Sequence, residues 1–212
     1  MGKIIAVAQQ KGGAGKTMIA AQFGVALAEN ARVALLDIDP QGSLTTWGRL
    51  RASAPKAAPG MEVLTISGWR LANELEKLKS THDYVLVDTP PVIDSDARRA
   101  IRGADLVLVP LNPAPPDLWA AEGTLKLAAE ERRPAALLFN RAPAASRLRK
   151  RLEAEIAARR LNLLPTALAN RAGYANAFAE GLGVTEAGPA TQAAEELRAV
   201  VQAMLTLLGA SG

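Results

Sequence analysis

Six short apolar runs punctuate the chain: KIIAVA, RVALLDID, MEVLTI, YVLVDTP, LVLVPL and AALLFN. They are rich in Val, Ile and Leu and apolar on both alternations, the pattern of strands buried on two faces. Between them the apolar residues recur at helical spacing, over Gly24–Ala28, Leu71–Leu78 and Leu118–Ala129. Strands alternating with helices predict an α/β fold whose mainly parallel β-sheet is flanked by helices on both faces. RASAPKAAPG, residues 51–60, reads as a Pro/Ala-rich loop within one domain. SRLRKRLEAEIAARRL reads as a helix with Leu148, Leu152 and Ile156 facing inward. The tail GPATQAAEELRAVVQAMLTLLGASG reads as a last helix that opens near Pro189 and frays after Gly209.

Composition adds limits. The 212 residues suffice for one sizeable core, and 49% hydrophobic against 22% charged residues is globular usage. Aromatics are 4%, so aliphatic side chains and alanine must fill the interior. Cysteine is absent, which excludes disulfides, thiolate metal sites and iron–sulfur clusters. The one histidine, His82, reads as a surface turn residue. No apolar run reaches the roughly 20 residues a membrane helix needs. The first ten residues read as a strand and lack the features of a signal peptide. No internal repeat is evident.

Charge is concentrated. Between Arg141 and Arg171 eight basic residues face two acids, Glu153 and Glu155. That surplus of six sits on a chain of net charge +4, so the remainder is at −2. A local surplus points to a polyanion. On the basic helix Arg147, Arg151, Glu155 and Arg159 form a stripe with Lys150 beside it, and Arg151–Glu155 and Glu155–Arg159 are spaced to pair. Aromatic residues are not interleaved there, so contact with phosphates rather than base edges is the expected mode. An ordinary solvated helix face is the alternative.

The chemistry begins at QQKGGAGKT, between a strand and a helix. Gly12, Gly13, Ala14 and Gly15 bring backbone N–H groups toward phosphate oxygens, and the helix N-terminus adds its positive end. Lys16 is placed for the β- and γ-phosphates and Thr17 for Mg²⁺, with Met18 following. The strict phosphate-loop pattern asks for glycine where Gln10 stands. Asp37 and Asp88 end apolar strands, and two strand-end carboxylates beside a phosphate loop make a site.

KGGAGKT resembles the deviant phosphate loop of the ParA/MinD ATPases, with its additional lysine ahead of the glycines. LLDIDPQGSLTTW is similar to that family's first switch, and YVLVDTPP to its Walker B strand and second switch. VPLNPAPPDLWAAEG resembles a segment of the small plasmid-partition ParA proteins. Met18 departs from the family's usual Thr or Ser; Thr17 is retained. The resemblance implies a P-loop NTPase-like fold in a single ParA-type ATPase domain over residues 1–212. It implies ATP and Mg²⁺ as cofactors and hydrolysis to ADP and phosphate. It gives Lys16 to the chain's own ATP and Lys11 to the partner's ATP across a homodimer. It makes Asp39 the residue that orients the attacking water, Asp88 a magnesium residue acting through water, and Asp37 a support of the magnesium shell. Asp94 and Asp96 fall on the second switch or its following helix. Asn140 is either a contact to the adenine base or a turn former at a strand exit.

The same resemblance implies non-specific DNA as a partner, through Arg147, Lys150, Arg151 and Arg171. It implies a ParB-like or other cargo adaptor that stimulates hydrolysis, and a bacterial, cytoplasmic, nucleoid-associated location. The chain starts at the first strand, without the DNA-reading extension of the larger ParA proteins. A MinD-like membrane ATPase is one rival. It asks for a terminal amphipathic helix with basic residues, whereas LRAVVQAMLTLLGASG carries only Arg198, so stable membrane association is not expected. A metabolic P-loop ligase is the other rival, and no matching substrate motif is present.

Overall fold

The computed structural model describes residues 1–66, 70–92, 94–143 and 146–210. Six strands form one parallel sheet: β1 (Lys3–Val7), β2 (Val33–Asp37), β3 (Met61–Thr65), β4 (Tyr84–Asp88), β5 (Leu106–Leu111) and β6 (Ala135–Phe139). Their spatial order is β3-β2-β4-β1-β5-β6. All six apolar runs of the sequence are strands.

The helices lie on two sides of this sheet. The odd alternation of β1, Ile5 and Val7, packs with residues of α1 (Lys16–Ala28), α2 (Ser43–Ala52), α7 (Ala172–Ala179), α8 (Val184–Ala187) and α9 (Gln192–Ala210). The even alternation, Ile4 and Ala6, packs with α3 (Leu71–Thr81), α4 (Ser95–Gly103), α5 (Pro115–Glu130) and α6 (Arg147–Ala158). Successive strand residues point to opposite faces, so covering both faces demands apolar residues throughout. Leu35, Leu36, Leu86 and Val87 are all fully buried.

Three expectations change. Arg51 and Ala52 belong to α2 rather than to the following loop, and Arg51 is buried. Its guanidinium meets the carboxylate of Glu186 with two contacts of 2.8 Å. This pair ties α2 to α8, and a buried Arg–carboxylate fork fixes both planes. Leu148 is 40% exposed, while Leu152 and Ile156 are buried. The apolar stripe of α6 begins one turn later than its spacing suggests. His82 ends α3 with its side chain largely covered, Nε2 lying 3.0 Å from Glu62 Oε1. The terminal helix reaches Ala210, one residue past the point after Gly209 where fraying is expected, and residues 211–212 lie outside the described residues. Leu197, Val200, Met204 and Leu208 are buried, so the apolar tail is spent on the core.

Candidate functional site

The site grows from one row across the sheet. Val7 pairs with Asp88, and Asp88 with Asp37, so β1, β4 and β2 end side by side. Beyond Val7 the chain turns through Gln10–Gly15 into α1. Gly13 and Gly15 have φ of +81° and +91°, left-handed values that favour glycine. A side chain at Gly15 would also collide with Asn140, whose Nδ2 lies 2.5 Å from the position of a Cβ. The helix that follows has no side-chain cap and no acid in its first turn. Two other helices of the chain differ. Asp94 accepts from two backbone N–H groups at the start of α4, and Ser146 from one at α6. The uncapped start of α1 leaves its first amides and its positive end for an anion.

Lys16 is buried at the head of α1. Burial lowers its pKa, while Asp88 and Asp39 pull it back upward. Asp88 is fully buried, and among the described residues neither carboxylate oxygen has a hydrogen-bond partner of normal geometry. Burial pushes its pKa up to about 7; Thr17 is close enough to oppose that shift, and Asp37 adds to it. A buried carboxylate without partners is costly unless a cation or donor completes it. The Thr17 hydroxyl and the Asp88 carboxylate are oxygen groups of the kind Mg²⁺ takes, in the second case directly or through water. The residues present therefore fit a magnesium–nucleotide complex.

Asp37 is equally buried but fully engaged. Its Oδ1 accepts the Asp39 N–H at 3.1 Å, and its Oδ2 accepts the Thr45 N–H and hydroxyl at 2.8 Å each. Thr45 in turn shares a 2.6 Å hydroxyl contact with Thr65 on β3. Of the two strand-end carboxylates assigned to magnesium, Asp37 is thus the one already engaged, by the segment that follows β2. Asp39 is half-buried beyond the strand end, with its Oδ1 accepting the Gln41 N–H at 3.0 Å.

Asn140 stands on the other side of the loop, at the end of β6. Its Nδ2 donates to the Ala14 carbonyl at 2.9 Å, and its Oδ1 accepts the Arg141 N–H at 3.0 Å. Arg141 donates to the Gly13 carbonyl at 3.0 Å. Both residues brace the phosphate loop. A cavity of about 100 Å³ opens beside them, lined among others by Met18, Leu168, Arg171 and Tyr174.

The DNA candidates lie elsewhere and fall into two groups. Arg147, Lys150 and Arg151 are exposed on α6, and among the described residues none of the three has an ion pair. Arg149 is taken by Glu153, and Glu155 is taken by Arg159 rather than Arg151. Arg171 caps α7 on the opposite side of the sheet, and its Nη2 meets Glu196 Oε2 at 3.2 Å. It lines the cavity beside the loop and does not extend the α6 surface.

Sequence reasoning missed Asp117. It sits in the first turn of α5, buried, with its Oδ2 2.5 Å from the Lys11 ammonium. It also missed Thr45 and the Arg51–Glu186 pair. An acid just after Pro115-Pro116 reads only as a favourable helix start. Nothing local links residues 106 positions apart.

A family model described as the CobQ/CobB/MinD/ParA nucleotide binding domain matches residues 5–184. The Maintenance of carboxysome distribution protein A of Halothiobacillus neapolitanus is 31% identical over 208 residues, 95% of each chain. Among solved structures, a McdA variant of Cyanothece in complex with ATP superposes with a TM-score of 0.79. It is 19% identical and covers 96% of both chains. The septum site-determining protein MinD of Pyrococcus horikoshii, complexed with Mg-ADP, gives 0.79 at 18% identity, with 100% of this chain and 99% of that one covered.

Proposed function

The chain belongs to the CobQ/CobB/MinD/ParA nucleotide-binding family, and we propose that it is a ParA-type ATPase that positions cargo by switching between an ATP-bound dimer and a released monomer. The observation that carries this reading is the second lysine. Lys16 is buried inside the chain's own phosphate loop, whereas the Lys11 side chain stays 40% exposed on the loop's rim. One buried cation suffices for one triphosphate; a second on the rim is placed to meet a triphosphate that arrives with another copy.

In this reading the loop amides and Lys16 hold the β- and γ-phosphates. Magnesium, held where Thr17 and Asp88 meet, supplies charge neutralisation for the phosphoryl group. Asp39, carried on a switch anchored by Asp37 and Thr45, orients the attacking water. The base occupies the cavity beside Asn140 and Met18. The exposed cations Arg147, Lys150 and Arg151 hold DNA by its phosphates, and two copies together bind more tightly than one. A ParB-like or other adaptor stimulates hydrolysis and links the cargo. The relative from Halothiobacillus is named for carboxysome distribution, which favours a protein assembly as that cargo. A membrane-bound variant of the same cycle is disfavoured because the apolar face of α9 is buried against the core.

The test is light scattering and DNA binding by the purified full chain with Mg-ATP, with Mg-ADP and without nucleotide, on two unrelated duplexes. Mg-ATP alone should give a dimer that binds both duplexes alike. A chain that stays monomeric with Mg-ATP, or binds DNA equally in all three states, defeats the proposal.

A further inference from the structure

Lys11 is not free in the resting chain. Its ammonium lies 2.5 Å from Asp117 Oδ2, a side chain only 3% exposed. The other carboxylate oxygen, Oδ1, accepts the Asn112 amide Nδ2–H at 2.9 Å and the Asn112 backbone N–H at 3.2 Å. The backbone of Asp117 is fixed as well, donating to the Ala114 carbonyl at 3.0 Å in the proline-led first turn of α5. The neighbouring Leu118 and Ala121 are buried, so α5 cannot shift readily to follow a moving lysine. Among the described residues the partner of Oδ2 is Lys11.

We propose that Asp117 is a positioning residue that latches Lys11 in cis, so that the lysine reaches a second subunit only by giving up this pair. The inference rests on the reading of Lys11 given above. A carboxylate buried this deeply pairs strongly with one cation, and removing that cation leaves a charge with little water to replace it. The latch therefore opposes dimerisation. It sets how much nucleotide-borne negative charge the second copy must present before Lys11 transfers. A Lys11 that pointed freely into solvent would let two copies associate at lower protein concentration.

Four full-length variants with a non-hydrolysable ATP analogue and Mg²⁺ decide this, with dimer fraction measured by light scattering over protein concentration. Asp117→Asn should dimerise at about tenfold lower concentration than the wild type. Asp117→Glu, which keeps the charge, should stay close to the wild type. Lys11→Ala should fail to dimerise, and Lys11→Ala with Asp117→Asn should fail equally, because the latch acts only through the lysine. Binding of a fluorescent ATP analogue to the monomer should be the same in wild type and Asp117→Asn. Asp117→Ser replaces Asp117→Asn if the latter does not fold. Dimerisation of the Asp117→Asn chain at or above the wild-type concentration, with Lys11→Ala inactive, overturns the latch alone. A Lys11→Ala chain that dimerises normally overturns the cross-subunit reading and the latch with it.

Discussion

Asp37 and Asp88 sit directly opposite each other at the ends of two neighbouring parallel strands, and both are fully buried. Their surroundings could hardly differ more. Asp37 accepts three hydrogen bonds from the segment that follows β2, while among the described residues Asp88 has only the Thr17 hydroxyl nearby and no hydrogen bond of normal geometry. Position and burial alone give both the same description. What separates a structural carboxylate from a ligand-binding one is whether the protein has already satisfied it. In the proposed reading the first switch is closed on itself, and the Walker B end is held open at a cost that a metal–nucleotide complex would offset.

Asp88→Asn tests the open side and should show the largest effect. ATP hydrolysis should fall at least about 100-fold as the magnesium-dependent charge is lost. Stability of the nucleotide-free chain should move the other way. The folded pKa of Asp88, about 7, lies above the ordinary 3.8, so the folded state holds its proton more tightly than the unfolded state. Its contribution to stability therefore falls as pH rises from about 4 to about 7 and is level above that. The Asn variant should lack this decline and be more stable at pH 8, by roughly 2–4 kcal/mol. Denaturant melts of the nucleotide-free protein across that window check the sign. A parallel decline in both proteins removes the argument that Asp88 is the strained group.

Asp39→Ala separates the two functions of the first switch, since Asp39 hangs from the Asp37 anchor and reaches beyond it. ATP and Mg²⁺ should bind as in the wild type while single-turnover hydrolysis slows about 100-fold. The dimer should then persist. Turnover at the wild-type rate, with and without a stimulating adaptor, would show that the water is oriented by another group.

Asp37→Asn tests the closed side. One amide oxygen cannot serve the Asp39 N–H and both Thr45 donors, so the switch should loosen and the chain lose about 1–3 kcal/mol. Magnesium affinity measured by titration with bound nucleotide should stay within a fewfold of the wild type. If instead magnesium affinity collapses while stability holds, Asp37 belongs to the metal shell after all.

The contrast also explains what was legible in the sequence. All six strands, the phosphate loop and the two strand-end carboxylates are local patterns. Apolar runs, glycines before Lys16-Thr17, and acids at strand ends follow from chain-local physics. The division of labour between Asp37 and Asp88 is not local, because it depends on Thr45 reaching back eight residues to one and not to the other. Asp117 and Glu186 were illegible for the same reason, with partners 106 and 135 residues away. Leu148 was misplaced because periodicity gives the buried stripe of a helix but not the turn at which the neighbouring layer begins to cover it. Arg171 was grouped with α6 by closeness in sequence, and the fold sends it to the other side of the sheet.

The basic surface gives the smallest expected effect and applies the same criterion of satisfied against unsatisfied groups. Arg149, Arg159 and Arg171 already hold carboxylates, and among the described residues Arg147, Lys150 and Arg151 do not. Cations that are already paired add little to a phosphate surface, because breaking an ion pair offsets the gain. Changing Arg147, Lys150 and Arg151 together to Ala should weaken DNA binding about tenfold near 0.15 M salt, equally on unrelated duplexes. The salt dependence should become shallower by about 0.9 in log–log slope for each phosphate contact removed. Arg171→Ala should leave that slope unchanged, since its guanidinium faces Glu196 and the cavity beside the phosphate loop. ATP binding and dimerisation should survive the triple change, as α6 is separate from the loop and both switches. Interferometry over a salt series, with ATP and on two duplexes, reads both slope and affinity. An unchanged slope in the triple variant with a shallower one for Arg171→Ala would reverse the assignment and place the DNA on the opposite side of the sheet.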